Sequence, residues 1–144
     1  MTDNLTADER SRLMARIGPK DTKPELIVRR FLHGLGYRYR LHARDLPGRP
    51  DIVFRSSRVA VFVHGCYWHR HPDCRFAYTP KSRVDFWTDK FEQNVARDER
   101  VSSELEARGW SVVVVWECQA KAGDLAWLPG RIERADIRAA DKRD

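Results

Sequence analysis

A chain of 144 residues is long enough to bury a core without disulfide staples and short enough to favour one domain spanning residues 1–144. With 42% apolar and 33% charged residues it reads as a globular chain, and no apolar run approaches the roughly 20 residues needed to cross a bilayer. The opening MTDNLTADER is polar and acidic rather than a secretory signal. These features argue against a membrane protein and a secreted disulfide scaffold, and a cytoplasmic location is expected. The net charge of +6 is concentrated in one segment, since residues 16–58 carry 11 basic and 4 acidic side chains. A localised basic excess is the usual electrostatic footprint of a phosphate backbone.

In chain order, Thr6-Ala-Asp-Glu9 has the form of a capping box, and Leu13 and Ile17 follow at helical spacing, which predicts a short helix ending before Gly18-Pro19. Thr22-Lys-Pro-Glu25 repeats the signal for a second helix, with Leu26, Phe31 and Leu35 on its inner face and Gly36 as its stop. Tyr37–Leu41 alternates as a half-buried strand with a basic outer face. After the turn Leu46-Pro-Gly-Arg-Pro50, Asp51–Phe54 and Val59–Val63 read as a β-hairpin. Residues 64–81 show no periodicity and read as a loop. Ser82–Arg108 reads as a long helix with Phe91, Val95, Val101 and Leu105 inward. Trp110–Trp116 is a continuous apolar run, which predicts a central strand buried on both faces. A weak helix is expected after Gly130. The sum is an α/β domain with a mixed sheet flanked by helices.

The loop holds the densest chemistry. His64-Gly-Cys66-Tyr-Trp-His69-Arg-His71-Pro-Asp-Cys74 places five potential ligands in eleven positions, and Cys118 follows the apolar strand. Three cysteines cannot all pair within one chain, so metal ligation or free thiols are better readings than disulfides. Cys66, Cys74 and Cys118 with His71 supply a Cys₃His set for structural zinc, although spacing alone does not choose among the histidines. Such a site would anchor the loop to the end of a strand. Asp51, opening one hairpin strand, shares a sheet edge with the end of its partner strand at Val63-His64. A carboxylate plus a carbonyl or second acid is a minimal Mg²⁺ seat. That is the layout of the PD-(D/E)xK nuclease core, but Phe62 and His64 stand where its second acid and lysine usually fall.

Leu46-Pro-Gly-Arg-Pro-Asp51, Val61-Phe-Val-His-Gly-Cys-Tyr-Trp-His69, Phe86-Trp87 with Lys90, Asn94, Arg97 and Asp98, Gly109-Trp110, and Val115-Trp-Glu-Cys118 occur in that order. This string closely resembles the very short patch repair (Vsr) DNA mismatch endonucleases, from about residue 8 to about residue 118. The resemblance implies a restriction-endonuclease-like fold with a zinc-anchored loop. It also implies an enzyme that nicks double-stranded DNA 5′ of the thymine in T:G mismatches left by deamination of 5-methylcytosine. Carried over by position, Asp51 binds catalytic Mg²⁺ with the backbone carbonyl of Val63. His64 and His69 are the active-site histidines, and Glu25 is an acid on the second helix. Cys66, His71, Cys74 and Cys118 hold zinc. Tyr67, Trp68 and Trp87 insert at the mismatch. The family further implies mismatch-repair proteins as partners, and a single nick calls for no more than a monomer.

The residues weigh these roles unequally. Glu25 completes the capping box with Thr22, which accounts for its spacing without any catalytic duty. Trp68 could instead pack over the zinc cluster, and Trp87 fits a helix core on pattern alone. Trp110 and Trp116 are assigned to the core, and Trp127 to C-terminal packing. Arg38, Arg40, Arg44 and Arg49 are candidates for phosphate contacts. Charge and cysteines alone fit a non-catalytic zinc-dependent DNA-binding module equally well. Asp51 with His64 and His69 favours an enzyme, and the aromatic pair at 67–68 favours a mismatch over the intact duplex cut by a same-fold nuclease with another target.

Overall fold

The computed structural model describes residues 22–133 apart from position 79. The helix expected over Thr6–Ile17 lies outside them. The described elements are α1 (Lys23–Gly34), β1 (Arg40–Leu41), β2 (Ile52–Phe54), β3 (Val59–His64), α2 (Val84–Ala107), β4 (Ser111–Trp116) and α3 (Glu117–Ala122). Residues 128–133 are again helical, beginning slightly before the expected position after Gly130. The four strands form one mixed sheet in the order β1-β2-β3-β4. Both hairpin pairings are antiparallel, and β3 runs parallel to β4.

Each strand sends alternate side chains to opposite faces. On one face Ile52, Phe54, Val59, Val61, Val113 and Val115 pack against Val28 and Leu32 of α1, Ala120 of α3 and the C-terminal Leu125 and Leu128. On the other, Val53, Ala60 and Phe62 pack with Leu105 of α2 and with Ala43 and Leu46. Every β3 residue except Val63 is buried, because β3 has a paired strand on each edge and helices on each face.

Three expectations need correction. The apolar run at 110–116 forms β4, which is an edge strand of the described sheet, and β3 is internal. The run of valines predicts neither pairing on both edges nor full burial of both faces: Val113 and Val115 are buried, whereas Val112 and Val114 on the opposite face are half-buried. Trp110 and Trp116 are accordingly half-buried rather than core residues. The strand expected over Tyr37–Leu41 shrinks to Arg40–Leu41, although its alternation is real. Tyr37 and Tyr39 set their rings edge-on to Phe54 at 5.9 and 6.1 Å, and the Tyr39 hydroxyl donates to the Arg29 carbonyl. In α1 the inner face is formed by Glu25, Val28 and Leu32, whereas Leu35 is 55% exposed past the end of the helix.

The chain reverses from α2 into β4 at Gly109, whose φ of +86° is a conformation that disfavours side-chain-bearing residues. That turn, with the parallel pairing, brings the C-terminal ends of β3 and β4 to the same edge of the sheet. The start of β2 and the N-terminal turn of α1 meet there too.

Leu32→Ala is expected to lower unfolding free energy by about 2–5 kcal/mol through lost burial and a residual cavity. Leu35→Ala should cost less than about 0.5 kcal/mol. Urea denaturation of the two variants checks the difference.

Candidate active site

Around Asp51, three backbone segments converge. Asp51 stands immediately before β2, and its Oδ2 accepts the Val63 N–H at 2.7 Å. Glu25 occupies the first turn of α1, where its N–H donates to Thr22 Oγ1 at 3.3 Å. The cap uses only the backbone of Glu25, so capping and a second role are compatible. Its carboxylate is 1% exposed, accepts from Arg29 Nη1 at 3.1 Å and lies 3.0 and 3.2 Å from His42 Nε2. Glu25, His42 and Asp51 each offer a ligand atom, all within 4.8 Å of one another. Burial pushes the Asp51 carboxyl up to about 7; the Glu25 carboxylate beside it adds to the rise, and the Val63 N–H opposes it. A buried acid, Glu25, beside a half-buried one, Asp51, forms a donor set suited to a hard divalent cation.

One residue beyond Val63, β3 ends at His64. Its ring stacks on that of His69 at 3.9 Å between centroids and 5° between planes. Burial pushes His64 down to about 4, helped by its histidine neighbour, so the ring is neutral at pH 7. His69 Nδ1 lies 2.6 Å from Asp98 Oδ2 of α2. A carboxylate on Nδ1 fixes the ring's orientation and leaves Nε2 as the atom for proton exchange.

The loop then wraps back to the sheet. Cys66, His71, Cys74 and Cys118 place one ligand atom each within 4.8 Å of the others. His71 Nδ1 lies 3.7 Å from Cys66 Sγ and 3.5 Å from Cys118 Sγ. A tetrahedral zinc with ordinary Zn–N and Zn–S bonds separates nitrogen from sulfur by about 3.5 Å, so the donor set fits that ion in chemistry and size. Burial pushes the Cys66 thiol up to about 12, whereas the Phe76 N–H leads the contributions that lower Cys74. Trp116 stands between the two centres. It meets His64 edge-on at 5.5 Å and stacks on His71 at 4.3 Å.

The loop aromatics face α2. Trp68 lies 5.9 Å from Trp87 and 6.4 Å from Phe91, with its backbone carbonyl held by Asn94 Nδ2 at 3.3 Å. Tyr67 packs edge-on to Trp68 and Phe91 at 5.0 and 5.2 Å. Arg70 stacks over Phe91 at 4.1 Å and donates to the carbonyls of Tyr67, Ala77 and Tyr78, stapling the loop. Tyr67, Trp68 and Trp87 are half-buried, so Trp87 is not the core residue that helical pattern alone suggests. Phe86, beside Trp87, is 45% exposed. Arg49 lies outside this aromatic group, exposed on the turn ahead of Asp51.

Two members of these clusters were given no role by the sequence: Asp98, which appears only within the string that carries the resemblance, and His42, which was not singled out. Asp98 had a readable signal: Trp87, Phe91, Asn94 and Asp98 follow one helical stripe, and its last two positions are polar where an apolar residue would be expected. His42 had none, because it follows a two-residue strand and shows no periodicity.

A helix-flanked mixed sheet with an acid heading β2 and a histidine ending β3 defines a restriction-endonuclease-like nuclease. The sequence model described as DNA mismatch endonuclease Vsr matches residues 2–75. The type II nicking enzyme V.XorIIP of Xanthomonas oryzae pv. oryzae is 52% identical over 92% of this chain and 95% of its own. The type II nicking enzyme V.NmeAIP of Neisseria meningitidis is 46% identical over 84% and 86%. DNA mismatch endonuclease Vsr of Escherichia coli is 42% identical over 82% and 75%. The chain belongs to the Vsr DNA mismatch endonuclease family and is an endonuclease.

Asp98→Asn should reduce DNA cleavage by about 10²-fold or more, because the amide no longer holds the imidazole in its orientation or stabilises its protonated form. Single-turnover cleavage, compared with an unchanged melting temperature, checks this.

Proposed function

We propose that this enzyme nicks one strand of duplex DNA on the 5′ side of the thymine in a T:G mismatch, the lesion left by deamination of 5-methylcytosine. The observation that carries this reading is the convergence of Asp51, the His64–His69 pair and the Tyr67–Trp68–Trp87 group at one end of the sheet. Mg²⁺ held by Asp51, with the Val63 carbonyl and Glu25 nearby, would relieve charge on the phosphoryl oxygens and orient the attacking water.

The protein's own residues account for the other steps. His69, oriented by Asp98, exchanges a proton through Nε2. His64, buried and neutral, supports that ring without adding a like charge. Trp68 and Trp87, backed by Phe91, offer apolar faces to bases unstacked at the mismatch, where unstacking costs less than at a matched step. A basic segment at 16–58 supplies binding independent of sequence. Zinc bound by Cys66, His71, Cys74 and Cys118 is assigned a structural role, fastening the loop that carries these groups. The enzyme is read as a single-domain monomer acting on DNA in the bacterial cytoplasm; among the described residues no helix is long and apolar enough to cross a membrane.

The test is a panel of end-labelled duplexes carrying T:G, other mismatches or none, with and without Mg²⁺. A single Mg²⁺-dependent nick 5′ of the mismatched thymine is expected. Asp51→Ala should abolish it while leaving mismatch binding largely intact. Trp68→Ala should lose most discrimination between T:G and matched duplex, about 1–3 kcal/mol per stacked base, while weak salt-sensitive binding persists. Equal cutting of matched duplex by the native enzyme would instead indicate a nuclease of the same fold with another target.

A further inference from the structure

The donor set at the acid pair is not all oxygen. His42 Nε2 lies 3.0 Å from Glu25 Oε2 and 3.2 Å from Oε1, and Glu25, His42 and Asp51 place their ligand atoms within 4.8 Å of one another. Adjacent ligands of an octahedral divalent ion, each about 2.1 Å from the metal, stand about 3.0 Å apart. The spacing of nitrogen and oxygen here matches that edge.

Backbone structure places the imidazole there. His42 has φ of +48°, a left-handed conformation that costs energy in a residue with a β-carbon and recurs where function fixes geometry. Its N–H donates to the Asp51 carbonyl at 3.1 Å, and the next N–H, of Ala43, donates to Pro50 at 3.2 Å. The residue that aims the imidazole at Glu25 is thus itself bonded to Asp51. Each acid also has one oxygen engaged by a protein donor. Val63 N–H holds Asp51 Oδ2, and Arg29 holds Glu25 Oε2. Glu25 Oε1, which Arg29 does not hold, lies 3.2 Å from His42 Nε2, and the Asp51 and Glu25 carboxyls share a side-chain hydrogen bond that a metal in this carboxylate–imidazole–carboxylate triad would replace.

We propose that His42 is a third protein ligand at the Glu25–Asp51 seat, and that the triad binds Mn²⁺ or Co²⁺ more tightly than Mg²⁺. This rests on the reading of Asp51 as the seat of the catalytic metal. Mg²⁺ prefers oxygen ligands and retains its waters, whereas imidazole nitrogen suits the first-row divalent ions, with affinity rising from Mn²⁺ to Co²⁺.

The experiment uses full-length protein with the cysteine cluster filled with zinc, as native enzyme, His42→Gln and Asp51→Asn. Calorimetry measures Co²⁺ and Mg²⁺ affinity, and pulsed EPR of the Mn²⁺-loaded protein detects nitrogen bound to the metal. The native enzyme should show the nitrogen signal. His42→Gln should lose it, and its Co²⁺-over-Mg²⁺ affinity ratio should fall at least about tenfold. Its Mg²⁺ affinity should stay within a few-fold, which also shows that the variant is folded. An unchanged ratio with the nitrogen signal retained in His42→Gln overturns the proposal and leaves His42 as an orienting partner of Glu25. In that event loss of Mg²⁺ binding by Asp51→Asn would still uphold the catalytic seat. If Asp51→Asn binds both metals like the native enzyme, the seat itself is misassigned and His42 falls with it.

Discussion

The parallel register of β3 on β4, with His64 opposite Trp116, is the constraint on which the rest of this structure depends. Two residues beyond that pair the strands deliver Cys66 and Cys118 to the same height, where the Cys118 N–H donates to Cys66 Sγ at 3.4 Å. The same pair sets Trp116 against His64 on one side and His71 on the other. Because side chains alternate along a strand, a slip of one residue would send Trp116 to the opposite face and separate the two cysteines. The cysteine cluster and the histidine pair are therefore two consequences of one register. A metal in the proposed zinc site would stabilise that register in return, since three of its ligands lie on the loop after β3 and the fourth just after β4.

Electrostatics divide the edge into two halves. Around Asp51 two acids crowd together, Glu25 buried and Asp51 half-buried, and desolvation raises the Asp51 carboxyl to about 7. This half is costly to charge until a cation arrives. Around His64 burial favours the neutral ring, and the exposed side of the pair is tied to Asp98. The Asp51–Val63 hydrogen bond joins the halves, because His64 is the next residue in β3. An enzyme that must bind a polyanion and move a proton benefits from this separation: the acids await positive charge, and buried His64 adds none beside the ring that Asp98 orients.

Local patterns in the sequence carried much of the fold. Capping at Thr22, the hairpin, the limits of the long helix and the aperiodic loop are all governed by interactions within a few residues, and the structure agrees with them. The misplaced features depend on distant partners. The valine run of β4 could not reveal that only one edge is paired, and Leu35 looked apolar enough for the core although the helix ends before it. At the site, the cysteines were visible because thiols and imidazoles crowded at short spacing are characteristic of metal ligation, whereas the choice of His71 among the histidines came from the family resemblance. Glu25 was ambiguous because its backbone serves the cap while its side chain turns to His42 and Asp51. Asp98 lies 29 residues from His69, and His42 lies 17 from Glu25, so each pairing became visible only after the chain was folded.

The shared strand register of the cysteine cluster and the stacked histidine pair is tested most directly by ring NMR of His64 and His69. Amide exchange of β2 and β3 is followed alongside, before and after chelation strips the cysteine cluster. The expected result is that β2–β3 amides stay protected while the two rings lose their stacked environment and nicking of T:G duplex stops, with both restored by added zinc. Unchanged ring resonances and full nicking in the stripped protein would show that the active site is built without the cluster.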